Sequence, residues 1–198
     1  MSSMDSVLFS MLMTAYLVVI AAVLAISLVG YIFHSVGLYA IGKRMGHGNA
    51  WLAFIPYARK YYQGEMAGEI GLKNKKIKNP GIWYLVLPLA WSAFYGVLIV
   101  ILCVLAVMGM FGAAAAGSEG MLGGTLFGLA AGYVLLFVAA LVYSAAYMAL
   151  RVLINRQIYA RFTTGNMAVV HAVLSAVIPL YEAFCTFTFR DRPFLSEE

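Results

Sequence analysis

Apolar residues in this chain come in long runs rather than in alternation. Residues 6–42 contain no Asp, Glu, Lys or Arg, and the same holds for 81–118 and for 120–150. A bilayer-crossing helix needs only about 20 such residues, so each run predicts a spanning helix. With a fourth apolar run at 167–189, the pattern predicts an all-α, multi-pass transmembrane helical bundle of about four membrane helices. Their expected bounds are about 12–41, 81–108, 121–150 and 167–189, within a single integral membrane domain covering 1–198. The long polar stretch is 43–78. Inside it, residues 57–72 mix Arg59, Lys60, Glu65 and Glu69 with Tyr61, Tyr62, Met66 and Ile70. That mixture predicts an interfacial helix on the cytoplasmic side, with its aromatic bodies in lipid and its charges in water. Gly64, Gly68 and Gly71 are expected to loosen it.

The fourth run admits two solutions. As one full span it places Arg190 and Arg192 outside and buries Glu182 about 12 Å from its end at 1.5 Å per residue. Pro179 opens the second. It removes a backbone donor and clashes with the carbonyl of Ser175, so the segment can break into a re-entrant hairpin with the C-terminus inside. Helix starts are better marked. Asn79-Pro80 reads as an N-cap and a first helical position, and Asn49 and Asn166, each after a glycine, suit the same role. The Gly-Asn sites and the Ile-Pro sites at 55–56 and 178–179 hint at a degenerate repeat, and recurrent turn chemistry at the bilayer surface gives the same pattern.

Composition sharpens the class. Hydrophobic residues make up 64% and charged residues 11%, against roughly a quarter charged in soluble domains, and the mean hydropathy is +0.90. The first run is too long for a cleaved signal peptide and its leading residues carry Asp5 and no Lys or Arg, so it is expected to stay as an anchor. Eight of the thirteen Lys and Arg fall between Lys43 and Lys78, three at Arg151, Arg156 and Arg161, and two at Arg190 and Arg192. The positive-inside rule turns the net charge of +5 into an orientation: N-terminus outside, 43–78 loop cytoplasmic. Cys103 and Cys185 both lie in apolar runs and are expected to be free thiols.

Candidate chemistry is sparse. Lys73, Lys75, Lys76 and Lys78 stand at the cytoplasmic foot of the second span, where each lysine near an anionic leaflet is worth about 1 kcal/mol, so they are candidate anionic-lipid contacts. Gly120, Gly124, Gly128 and Gly132 recur every four residues and predict a helix-packing stripe, expected to be buried within the protomer, with a homo-oligomer or another membrane protein as the alternative partner. On that reading Gly128→Leu forces helices apart. His34, His171 and Glu182 are the ionisable groups inside apolar runs and form the candidate membrane-polar site. On one straight helix, His171 and Glu182 share a face but lie about 16 Å apart. Glu182→Gln is expected to leave folding nearly intact. Neither a zinc-protease motif, a serine elbow nor a phosphate loop is present, so no catalytic, cofactor or metal residues are assigned, and no nucleic-acid module accompanies the basic charge.

Two blocks carry a resemblance. Leu38-Tyr39-Ala40-Ile41-Gly42-Lys43-Arg44 leads to Trp51-Leu52-Ala53-Phe54-Ile55-Pro56, and Asn166-Met167-Ala168-Val169-Val170 leads through Pro179 to Phe187-Thr188-Phe189-Arg190. Together they resemble a group of small multi-pass membrane proteins of Gram-positive bacteria that has no assigned activity. The resemblance covers about a third of the chain and implies a bacterial cytoplasmic membrane. It departs at Tyr57-Ala58-Arg59-Lys60, where relatives often have a Gly-Asn turn, and in a tail with fewer lysines. Three functions are carried forward: a non-catalytic accessory or scaffold subunit first, a small transporter or channel component as its alternative, and third an interfacial lipid-acting enzyme using Glu65, Glu69 and His47.

Overall fold

The computed structural model describes residues 3–72 and 75–195. The chain is all-α apart from one short hairpin. Helix α1 runs Ser3–Arg44, a 3-10 turn covers Ala50–Phe54, and α2 is Pro56–Ala67. Strands β1 (Ile70–Leu72) and β2 (Lys75–Ile77) pair antiparallel, followed by α3 (Pro80–Ala116), α4 (Glu119–Tyr159), α5 (Gly165–Val177) and α6 (Pro179–Phe189). Helices α1, α3 and α4 are long and apolar enough to cross a membrane. With 37 to 42 residues each, they are about 55–63 Å long, twice the ~30 Å hydrocarbon core, so each projects well beyond it.

Local chemistry sets the ends of the α3–α4 hairpin. Pro80 occupies the first turn of α3 after Asn79, as expected, although the Asn79 side chain makes no capping bond; Asn49 makes none either, and the residue before α5 is Thr164 rather than Asn166. Gly117 closes α3 in the left-handed region at φ 59°, where its N–H reaches the carbonyls of Ala113 and Ala114. Ser118 then caps α4, its hydroxyl accepting from the Met121 N–H at 3.3 Å.

The fourth apolar run is not one helix. It breaks at Ile178 (φ −115°, ψ 103°), the residue before Pro179, because proline drives its predecessor out of the helical region and cannot donate to the preceding turn. The resulting helices of 13 and 11 residues reach only about 20 and 17 Å, too short to cross. Their course returns the chain to its own basic end. Arg44 donates to the Arg190 carbonyl and lies over the Phe194 ring at 4.8 Å, and the Leu195 N–H donates to the Arg161 carbonyl at 2.9 Å. The three clusters of basic residues therefore meet at one end of the molecule, as the hairpin solution requires and the full span does not.

That end is also where the core lies. Leu38, Ile41, Tyr62, Met66, Ile154, Ile158, Tyr159, Ala168 and Ala172 are buried together, joining α1, α2, α4 and α5, while the outer halves of the long helices are exposed. Helix α2 is more deeply packed than the interfacial expectation implied. Tyr62, Gln63, Gly64, Met66 and Ala67 are buried, so one face of it belongs to the core. Its glycine is the reason. A Cβ on Gly64 would stand 2.4 Å from the Gly81 Cα, so the glycine pair lets α2 and α3 touch backbone to backbone instead of loosening the helix.

The glycine stripe is also corrected. Gly124 and Gly128 face open space and Gly120 meets nothing nearer than the Ser118 hydroxyl at 4.0 Å; only Gly132 packs, with its added Cβ 2.8 Å from Leu102. The close α3–α4 contacts use a different set. Thr125 sits over Gly109, and Trp91 stacks on Tyr143 at 4.5 Å with planes 6° apart. Four-residue spacing puts glycines on one face but does not choose the face a neighbour occupies, and here bulky aromatics hold the seam.

Candidate functional site

Glu182 lies in the first turn of α6 and is 4% exposed. Its carboxylate is the hub of a network drawn from three other helices. Oε1 accepts from Gln63 Nε2 of α2 at 2.7 Å and from Asn155 Nδ2 of α4 at 3.1 Å, while Oε2 accepts from the Arg151 guanidinium. Gln63 Nε2 also donates to Asn155 Oδ1 at 2.6 Å. Arg151 places a second amino group on the Ala176 carbonyl at 3.3 Å, a carbonyl near the end of α5. His34 of α1 brings Nε2 to 3.8 Å from Glu182 Oε1, beyond a hydrogen bond but close enough for an ion pair when protonated.

The spacing behind this arrangement is simple. Arg151 and Asn155 are four residues apart on α4, and Arg59 and Gln63 four apart on α2, so each pair presents one polar stripe to the centre. The break at Pro179 aims the first turn of α6 between the two stripes. Glu182 and His34 were singled out in the sequence; Gln63, Arg59, Lys60, Arg151 and Asn155 were not, because Arg151 reads as a topology signal and the α2 residues as a solvated face. The signal that would have found them is the pair of four-residue polar repeats on otherwise apolar helix faces.

His171 is not part of this centre. It hydrogen-bonds Tyr181 at 2.5 Å and packs edge-on to Phe189, on the far side of the α5–α6 pair. The straight-helix geometry that related it to Glu182 does not exist once the run is broken. Glu65 and Glu69 are exposed, and α2 ends at Ala67, so they do not form a helical carboxylate pair. Lys73 lies outside the described residues. Lys75, Lys76 and Lys78 are exposed on and just after the hairpin strand β2. Both cysteines are free, and among the described residues no cluster has the makings of a metal site.

Beside the network opens a cavity of about 670 Å³, within the ~300–1,000 Å³ usual for small-molecule sites. Its polar end is formed by Arg59, Lys60, Gln63, Arg151, Glu182 and His34, with Tyr31, Tyr84 and Tyr147. Its apolar lining is Val23, Ile26 and Gly30 of α1 with Ile178 and Leu180 of the α5–α6 break. Arg59 stacks on the Tyr31 ring at 4.7 Å and approaches the Ser35 hydroxyl at 3.4 Å. The Lys60 ammonium lies 5.2 Å from the Tyr147 ring centre and 5.9 Å from that of Tyr84. Among the described residues neither Arg59 nor Lys60 has a carboxylate partner. Burial pushes the Lys60 pKa below its ordinary value, and repulsion from Arg151 and Arg59 pushes it further the same way.

An all-α fold with three membrane-length helices and a charged cavity defines the class: a membrane protein with an internal polar site. No protein-family profile, curated protein or solved structure matches the chain.

Proposed function

We propose that this is a multi-pass protein of a bacterial cytoplasmic membrane that binds an anionic ligand in the cavity beside Glu182, and so belongs with small transporters or their binding components. The N-terminus is outside and the 43–78 loop cytoplasmic, with the exposed lysines of that loop against acidic lipid. The observation that carries this reading is a charge imbalance. Among the described residues lining the cavity, Arg59, Lys60 and Arg151 stand against a single carboxylate, Glu182, which is already paired with Arg151. Two cations left at a partly dehydrated site are costly without a counter-charge, and an anion supplies it. A scaffold needs no such cavity, and the lipid-acting enzyme draws no support from Glu65 and Glu69, which lie outside it.

The test is ligand stabilisation of the purified full chain. A ligand that binds only the folded state raises its stability by RT ln(1 + [L]/Kd). Phosphate and carboxylate compounds are expected to raise the apparent Tm in a concentration-dependent way, and Lys60→Gln to remove most of the rise. Equal responses to anions and cations, or an unaltered response in Lys60→Gln, would overturn the proposal.

A further inference from the structure

The cavity has a shape as well as a charge. From His34 at its polar end to Val23 in its apolar lining it follows α1 for eleven residues, about 16 Å, or half the hydrocarbon core. Taken as a whole, α1 packs chiefly against α6 and the 3-10 turn, and it makes no comparable contact with α3 or α4. The residues of α1 above the cavity are exposed. The space between α1 and the α3–α4 hairpin is thus open sideways, toward where lipid chains lie. Meanwhile Tyr84, Tyr147 and Arg151 mark the polar end at the level where the charge-free runs of α3 and α4 begin and stop.

A soluble anion needs only the cationic end. The apolar wall of Val23, Ile26, Ile178 and Leu180 adds nothing to its binding, yet it is continuous with that end. Resting on the anion-binding reading above, we infer that the ligand is a phosphate-headed lipid entering sideways between α1 and the α3–α4 hairpin. Its phosphate lies between Arg59 and Lys60, and one acyl chain lies along α1. The phosphate of choice is a monoester, because its charge of about −1.5 to −2 matches the two unpaired cations, whereas a diester leaves one uncompensated. Arg59 supplies planar donors and Lys60 a compact point charge, the combination that holds phosphate in many sites.

Full-length protein reconstituted in vesicles of phosphatidylcholine with a minor fraction of phosphatidate, then extracted and weighed intact by native mass spectrometry, reads the bound lipid directly. The expected result is one retained phosphatidate, enriched at least tenfold over its share of the vesicle, and lost to that share in Lys60→Gln and in Ile26→Trp, where the indole fills the chain path. Ile26 is 53% exposed, so Ile26→Trp is expected to fold as the parent does, which its Tm checks. Glycerol 3-phosphate provides the second arm. If it stabilises the protein and does so equally in Ile26→Trp, while phosphatidate is not enriched, the ligand is a soluble phosphate ester: the lipid inference fails and the anion-binding reading stands. If neither compound binds, both fail. Enrichment of phosphatidylglycerol equal to that of phosphatidate would overturn the monoester assignment.

Discussion

Glu182→Gln tests whether the network is structural, because it changes charge with almost no change of shape. In the parent, the carboxylate accepts from Gln63, Asn155 and Arg151. A glutamine keeps one acceptor oxygen for Gln63 and Asn155 but turns an NH2 group toward the guanidinium, so donor faces donor and the Arg151 charge is stranded. Breaking a buried ion pair by removing one partner costs roughly 3–5 kcal/mol. The Arg151 side chain is 20% exposed and that of Glu182 5%, so cavity water recovers part of the loss and the low end, about 3 kcal/mol, is expected. For a chain of 198 residues at about 2–4 °C per kcal/mol, this lowers the apparent Tm by roughly 6–12 °C. The buried network thus predicts a stability loss where the sequence alone led us to expect near-intact folding. Thermal scans at one fixed rate in one detergent measure the shift, and the double variant Arg151→Met/Glu182→Gln supplies the control. With the stranded charge gone, the double variant should be more stable than Glu182→Gln alone, a non-additivity that a double-mutant cycle quantifies. A single-variant shift under about 2 °C, or a double variant no better than the single, would refute the reasoning.

Gly64→Val places side-chain carbon against the Gly81 backbone, where an added Cβ already stands 2.4 Å from Cα; a loss of about 3 kcal/mol is expected by thermal scan, against less than about 0.5 for Gly96→Val, which meets open space. Gly128→Leu should leave the thermal stability of the isolated protomer within about 0.5 kcal/mol, since nothing lies within 4 Å of its added Cβ; a larger loss together with a change of oligomeric state on size-exclusion chromatography would place the glycine face in an interface between copies. A cysteine replacing the exposed Lys76, in a background with Cys103 and Cys185 replaced, should react with a membrane-impermeant maleimide only after cells are opened; labelling of intact cells would invert the orientation.

The membrane helices were legible because the length of a charge-free run is nearly sufficient to specify one. The α3 start at Asn79-Pro80 was legible for an equally local reason. What could not be read was which face of each long helix meets a neighbour. In lipid an apolar residue gains little by leaving one apolar environment for another, so hydrophobicity no longer marks the buried side. The glycine stripe was judged by spacing alone and lies mostly open, while the seam uses Trp91, Tyr143 and Gly109, residues with no distinguishing period. Helix α2 failed for the opposite reason. Its charged residues read as a solvated face, yet Arg59 and Lys60 line the cavity while Tyr62 and Met66 fill the core. The site itself was half visible: Glu182 and His34 stood out as ionisable groups in apolar runs, but the hydrogen-bond partners of Glu182 come from segments 27 to 119 residues away and are joined only by the fold.

Depth in an apolar run and depth in the bilayer are different quantities, and Glu182 separates them. Counted along 167–189 it appears well inside the membrane, where a lone charge costs about 2.5–3.5 kcal/mol by insertion scales. The break at Pro179 means that the count along the run no longer gives a depth. Because α5 and α6 fold back to the basic end, Glu182 meets Arg151, the first charged residue after the 120–150 run, and the two charges pair. The same turn brings the Arg190 carbonyl and the Phe194 ring to Arg44. Only a proline, or another residue that disrupts a helix as effectively, can serve at the break. A continuous helix through 178–179 would carry Glu182 away from Arg151 and leave each charge unpaired. Pro179→Ala therefore acts on the site through the backbone. It is expected to weaken the folded state about as much as Glu182→Gln does, and the two changes combined should cost much less than their sum, since either alone already abolishes the pair. Full additivity in that double variant would mean that the Glu182–Arg151 contact does not depend on the α5–α6 break.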